Sequence, residues 1–113
     1  MPSSQHPALP DNPTLHDVQA YIANVLKHRG FDKQSLEYEF GMLVEEVGEL
    51  AKALRQYGGG FKAADSQDFK VRHELADVLW MLVCVCNRLG VDLEAALREK
   101  EEYNKTRTWS KQA

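Results

Sequence analysis

Cysteine is scarce in this chain of 113 residues, with Cys84 and Cys86 the only two. Two positions apart on a helix, they point about 200° from each other, which excludes a disulfide or a shared metal site between them. They read as reduced core thiols of a cytoplasmic protein. Long apolar runs are also missing. The longest, 78–86, falls well short of the roughly 18 residues of a membrane span. Positive charge is not in surplus either: the net charge is −3, which argues against a general nucleic-acid binder. Proline is confined to the first thirteen residues, a stretch with neither a basic start nor an apolar run, so it reads as a disordered tail and not as a signal peptide. No run alternates apolar and polar residues long enough to predict a strand.

Helical patterns fill the rest. Apolar residues make up 43% and charged residues 27% of the chain, ordinary values for one small soluble domain. Thr14 with Asp17 three residues on predicts a capped helix over 15–29, stopped by Gly30. Ser35 starts a second, over 36–57, with Leu36, Phe40, Leu43, Val44, Val47, Leu50, Ala51 and Leu54 as its apolar stripe. Gly58, Gly59 and Gly60 end it and open a connector over 58–66. A third helix begins near Gln67 or Asp68 and ends at Gly90, with Val71, Leu75, Leu79, Leu82 and Val83 among its apolar positions. Asp92 caps a fourth, which continues to about Arg107. The fold expected is an all-α four-helix bundle over 14–109, between the tail at 1–13 and a C-terminal tail at 110–113.

Two acid pairs interrupt these stripes. Glu46 and Glu49 lie on the second helix, Glu74 and Asp77 on the third, each pair spaced i, i+3 and so on one helical face. Spacing alone leaves two readings open: a solvated face, or four carboxylates converging on a divalent cation that relieves their repulsion. All-oxygen ligation favours a hard ion, magnesium or manganese, and magnesium commonly bridges substrate phosphates. Such an ion also screens phosphates, so the acidic net charge leaves a nucleotide substrate open. The Glu-x-x-His pairs of di-iron bundles are absent. In His73-Glu74-Leu75-Ala76-Asp77, an Asp stands where a zinc protease helix needs its second His.

At these residues the sequence resembles the MazG-type nucleotide pyrophosphohydrolases of the all-α NTP pyrophosphatase superfamily. Leu43-Val44-Glu45-Glu46-Val47-Gly48-Glu49-Leu50 is similar to that family's first signature and Glu74-Leu75-Ala76-Asp77-Val78-Leu79-Trp80 to its second. Lys100, Asn104 and Arg107 are spaced as in members specific for deoxycytidine triphosphates. The resemblance covers roughly 15–108. It implies hydrolysis of a nucleoside triphosphate to a monophosphate and pyrophosphate, with magnesium on Glu46, Glu49, Glu74 and Asp77. It makes Glu49 and Glu46 candidates for the general base, with Glu45 as a base or outer ligand. It also implies phosphate contacts from Lys100, Asn104 and Arg107, a pocket position for Trp80, and a homodimer or homotetramer. Two alternatives remain at this level: phosphoribosyl-ATP pyrophosphohydrolase, and a non-catalytic helical oligomer whose acids only bind metal.

Overall fold

The computed structural model describes residues 7–57 and 66–109, and for residues 66–68 the helical backbone alone. Four helices follow in order: α1 (Leu15–Arg29), α2 (Leu36–Tyr57), α3 (Ser66–Leu89) and α4 (Leu93–Lys105). Among the described residues there is no strand. Residues 58–65 of the glycine connector, 1–6 of the N-terminal tail and the whole C-terminal tail at 110–113 lie outside the described residues.

Local chemistry sets the helix ends. The Thr14 hydroxyl accepts from the Asp17 N–H at 3.0 Å, and the Asp17 carboxylate accepts from the Thr14 N–H at 3.0 Å. These bonds hold the Asp17 carboxyl below its ordinary value, the Thr14 N–H contributing most. Ser35 caps α2 by accepting from the Tyr38 N–H at 3.0 Å, and Asp92 caps α4 by accepting from the Ala95 N–H at 3.2 Å. Gly30 and Gly90 close α1 and α3 at φ 80° and 69°, a left-handed conformation that costs a residue with a Cβ about 1–2 kcal/mol.

α2 packs along α3, α1 lies against α3, and α4 against α1. Ile22, Val83 and Cys84 form the buried centre, joined by Val18, Tyr21, Leu26, Trp80, Met81 and Leu93. Both thiols are free and buried, as the sequence predicts. Desolvation, helped by the negative charge of Glu39, pushes the Cys84 thiol up to about 11.

The single broad stripe expected of α2 divides in two. Its buried line runs through Glu39, Glu46 and Ala53, seven residues apart, of which Glu39 and Ala53 are buried and Glu46 half-buried. The larger apolar residues Phe40, Val44, Val47 and Leu54 lie on a neighbouring line and are 47–56% exposed. On α3, Leu75, Leu79, Leu82 and Leu89 are likewise 38–57% exposed. Helical periodicity marks which residues share a face, but not which of two adjacent apolar faces meets the rest of the chain.

Candidate metal centre and its surroundings

The antiparallel packing of α2 on α3 brings Glu46, Glu74 and Asp77 together, with one carboxylate oxygen from each lying within 4.8 Å of the others. Glu46 and Glu74 are half-buried and Asp77 is exposed, so the group opens to solvent on one side. Desolvation and then the charge of Asp77 raise the Glu46 carboxyl above its ordinary value, with further contributions from Glu74 and Glu49. The Oε2 of Glu74 is buried and has no hydrogen-bond partner among the described residues. Mutual repulsion, a raised carboxyl and a buried oxygen with no partner among the described residues are strains that a cation bound by hard oxygen donors would relieve. The residues present therefore fit a magnesium or manganese ion.

Glu49 is not part of the three-oxygen group. It lies one turn further along α2, exposed, and its charge acts on Glu46. Glu45 is exposed on the same helix. α4 ends at Lys105, short of the Arg107 expected. Lys100 on α4 lies 4.8 Å and Arg107, just past its end, 5.8 Å from the Tyr103 ring, and Arg107 is 4.4 Å from that of Trp109. The Oδ1 of Asn104, between them in sequence, is buried with no hydrogen-bond partner among the described residues. Lys100 and Arg107 thus share the Tyr103 ring, and the Arg107 N–H donates to the Asn104 carbonyl at 3.1 Å, while α4 itself rests on α1.

Trp80 lines a cavity of about 210 Å³ whose walls include Phe31, Tyr38, Met42 and Met81. Met42 lies one turn before Glu46 and Trp80 one turn after Asp77, so the hollow adjoins the carboxylates along the α2–α3 seam. Glu39 is at its edge. It is 3% exposed and accepts from Arg88 Nε at 2.9 Å. That bond raises the Arg88 guanidinium further above its ordinary value and keeps it charged.

Two buried polar residues escaped the sequence reading. Glu39 occupies the same heptad line as Glu46, which was a usable signal. Gln19 gave none. Its Nε2 donates to Asn87 Oδ1 at 3.0 Å and to the Val91 carbonyl at 2.9 Å, and its Oε1 accepts from the Leu93 N–H at 2.8 Å. Asn87 Nδ2 returns a bond to the Gln19 carbonyl at 3.0 Å. This network ties α1 to the α3–α4 turn and satisfies an N-terminal donor of α4 that would otherwise be orphaned.

Comparison with known proteins places this geometry in context. The MazG nucleotide pyrophosphohydrolase domain matches residues 34–108. Bacillus subtilis YpjD is 37% identical over 87 residues, covering 74% of this chain and 76% of YpjD. The solved YpjD structure superposes with a TM-score of 0.68 at 31% identity, covering 88% of this chain and 100% of that one. The crystal structure of iMazG from Vibrio DAT 722 superposes with a TM-score of 0.64 at 34% identity, over 82% of this chain and 99% of that one.

Proposed function

The chain belongs to the MazG nucleotide pyrophosphohydrolase family, and we propose that it is a magnesium-dependent hydrolase converting nucleoside triphosphates to monophosphates and pyrophosphate in the cytoplasm. The observation that carries this reading is the carboxylate group of Glu46, Glu74 and Asp77, with its unpartnered Glu74 oxygen. Together with Glu49 one turn away, these acids would hold the cation, which when bound supplies charge neutralisation for the phosphates and acidifies an attacking water. Manganese would substitute. The free, buried thiols suit a reducing compartment, and among the described residues no helix is long and apolar enough to cross a membrane.

In the proposed reaction, a water oxygen bonds to the α-phosphorus. The bond from that phosphorus to the α–β bridging oxygen breaks, and its electron pair leaves with pyrophosphate. Glu49 or Glu46 accepts the water proton, Glu49 being the more exposed and the less crowded by other acids. Glu45 stands beside them as an outer ligand or alternative base. The base would enter the hollow lined by Trp80, Phe31 and Tyr38, stacking on aromatic rings while the phosphates extend toward the acids. Lys100, Asn104 and Arg107 would hold outer phosphates. House-cleaning of the nucleotide pool is the role this chemistry suits.

A homodimer or homotetramer would complete the molecule. The exposed stripe at residues 40, 44, 47 and 54 is spaced by threes, fours and sevens, as in a helix-packing seam. An apolar face this long is normally covered. A second copy would supply the cover with its own α2–α3 pair.

The decisive assay incubates the protein with magnesium and a panel of ordinary and modified nucleoside triphosphates, scoring monophosphate, pyrophosphate and orthophosphate. Pyrophosphate release that collapses in Glu49→Gln supports the assignment. No turnover on any substrate, or turnover indifferent to Glu49→Gln, sinks it, and orthophosphate would move cleavage to the terminal bond.

A further inference from the structure

One cation of α1 has no place yet in this chemistry. The helix ends on Lys27, His28 and Arg29. Its last turn is closed by two backbone bonds, from the Phe31 N–H to the Leu26 carbonyl at 2.8 Å and from the Gly30 N–H to the Lys27 carbonyl at 3.2 Å. That closure fixes the point from which the Arg29 side chain departs.

The register of α1 on α3 then sets its level. The two helices run antiparallel, with Gln19 bonded to Asn87. Ten residues forward from Gln19 is Arg29, and ten residues back from Asn87 is Asp77. Both helices rise equally per residue, so Arg29 comes level with Asp77. The side chain agrees: its guanidinium carbon lies 5.6 Å from the centroid of Trp80. Trp80 follows Asp77 by three residues, a spacing that puts the two on one face.

Arg29 is exposed and, among the described residues, forms no ion pair; its contact is with the Trp80 ring. An arginine level with an acid cluster would ordinarily pair with a carboxylate. Here the guanidinium lies over the ring, 5.6 Å from its centroid, and its N–H edge has no acceptor among the described residues. That edge is a planar fork whose geometry matches two oxygens of one phosphate.

We propose that Arg29, held on Trp80 level with Asp77, is a substrate-contacting residue that donates to the β- and γ-phosphates of the nucleotide. This rests on the pyrophosphohydrolase reading and deepens it. When the α–β bond breaks, the electron pair and the growing negative charge go to the departing pyrophosphate. A fixed guanidinium there offsets charge that the carboxylates of this chain can only oppose.

The test measures binding apart from turnover. Full-length protein with magnesium is titrated with α,β-methylene analogues of the four common deoxynucleoside triphosphates and with the matching monophosphates. Arg29→Gln should weaken the triphosphate analogue by about tenfold or more, the size of a lost charge-assisted hydrogen bond, and leave monophosphate affinity within about twofold. Arg29→Lys, keeping the charge without the fork, should recover part of the loss. Melting temperature and manganese affinity should not move in either variant, because the side chain is exposed and pairs with no acid among the described residues. An unchanged triphosphate affinity, or an equal loss for mono- and triphosphate, overturns the proposal. A wild type that binds the triphosphate analogues but cleaves none of the natural triphosphates refutes the hydrolase reading and leaves Arg29 standing. A wild type that binds no triphosphate overturns both.

Discussion

α3 carries two polar clusters about three turns apart, and they treat their polar atoms differently. Around Asn87 the network closes on itself: Gln19, Asn87, the Val91 carbonyl and the Leu93 N–H all find partners within the chain. Around Glu74 and Asp77 three carboxylates crowd together, one carboxyl is raised by desolvation and by its neighbours, and a buried oxygen has no partner among the described residues. A polar cluster that satisfies itself adds to the stability and uniqueness of a fold. One that repels itself costs stability, and is better explained by what it is built to receive.

That contrast breaks most sharply on neutralising an acid. Asp77→Asn removes a repulsion and keeps the shape of the side chain. The metal-free chain should therefore unfold at the same temperature as the wild type or higher. Turnover should fall by roughly a thousandfold, since metal-assisted charge stabilisation is worth several kcal/mol. Magnesium at about a hundred times its dissociation constant should add about 2.7 kcal/mol of stability to the wild type and much less to Asp77→Asn. If the variant instead melts well below the wild type without metal, these acids are scaffold, and the comparison between the two clusters fails.

Gln19→Ala probes the other side. It strips partners from the Asn87 side chain, the Val91 carbonyl and the Leu93 N–H at once. An unsatisfied buried group costs about 1–3 kcal/mol, and water reaching this junction recovers part of that. The expected loss is about 3 kcal/mol in urea unfolding, with manganese affinity of the folded protein unaltered. A variant as stable as the wild type would mean that the network does not hold α4 in place.

How far these clusters could be read from the sequence follows from the range of the forces involved. Helix ends were legible because caps are local: Thr14 with Asp17, Ser35, Gly30 and Asp92 act within a few residues of themselves. The acids were legible as pairs because i, i+3 spacing is also local. Their meeting across α2 and α3 is a tertiary fact, and Glu49, equal to Glu46 in the sequence pattern, turned out to lie outside the three-oxygen group. Gln19 was illegible for the same reason, since its partners are 68 to 74 residues away. The apolar stripes were legible as stripes. Choosing which one stays exposed depends on packing geometry that periodicity does not carry, and Phe40 and Val44 proved to be on the open side.

The smallest expected effect separates the clusters by pH. Asp17, in the α1 capping box, has a folded pKa below its ordinary 3.8, so the stability it contributes is present above that value and is lost as pH falls below it. Glu46 runs the other way. Its folded pKa lies above the ordinary 4.5 because burial and the neighbouring acids disfavour its charged form. Its contribution is therefore fully present below 4.5 and is lost as pH rises through the folded value. In the metal-free chain, subtracting the Glu46→Gln melting curve from that of the wild type should leave a difference that drifts against the wild type as pH climbs above 4.5. Saturating magnesium should reverse that drift, because the cation binds the ionised carboxylates and competes with the proton. The same subtraction with Gln19→Ala should give a flat line over this range, since no group in that network titrates there. A sloping Gln19 difference, or a flat Glu46 one, would mean that charge is not what distinguishes the two ends of α3.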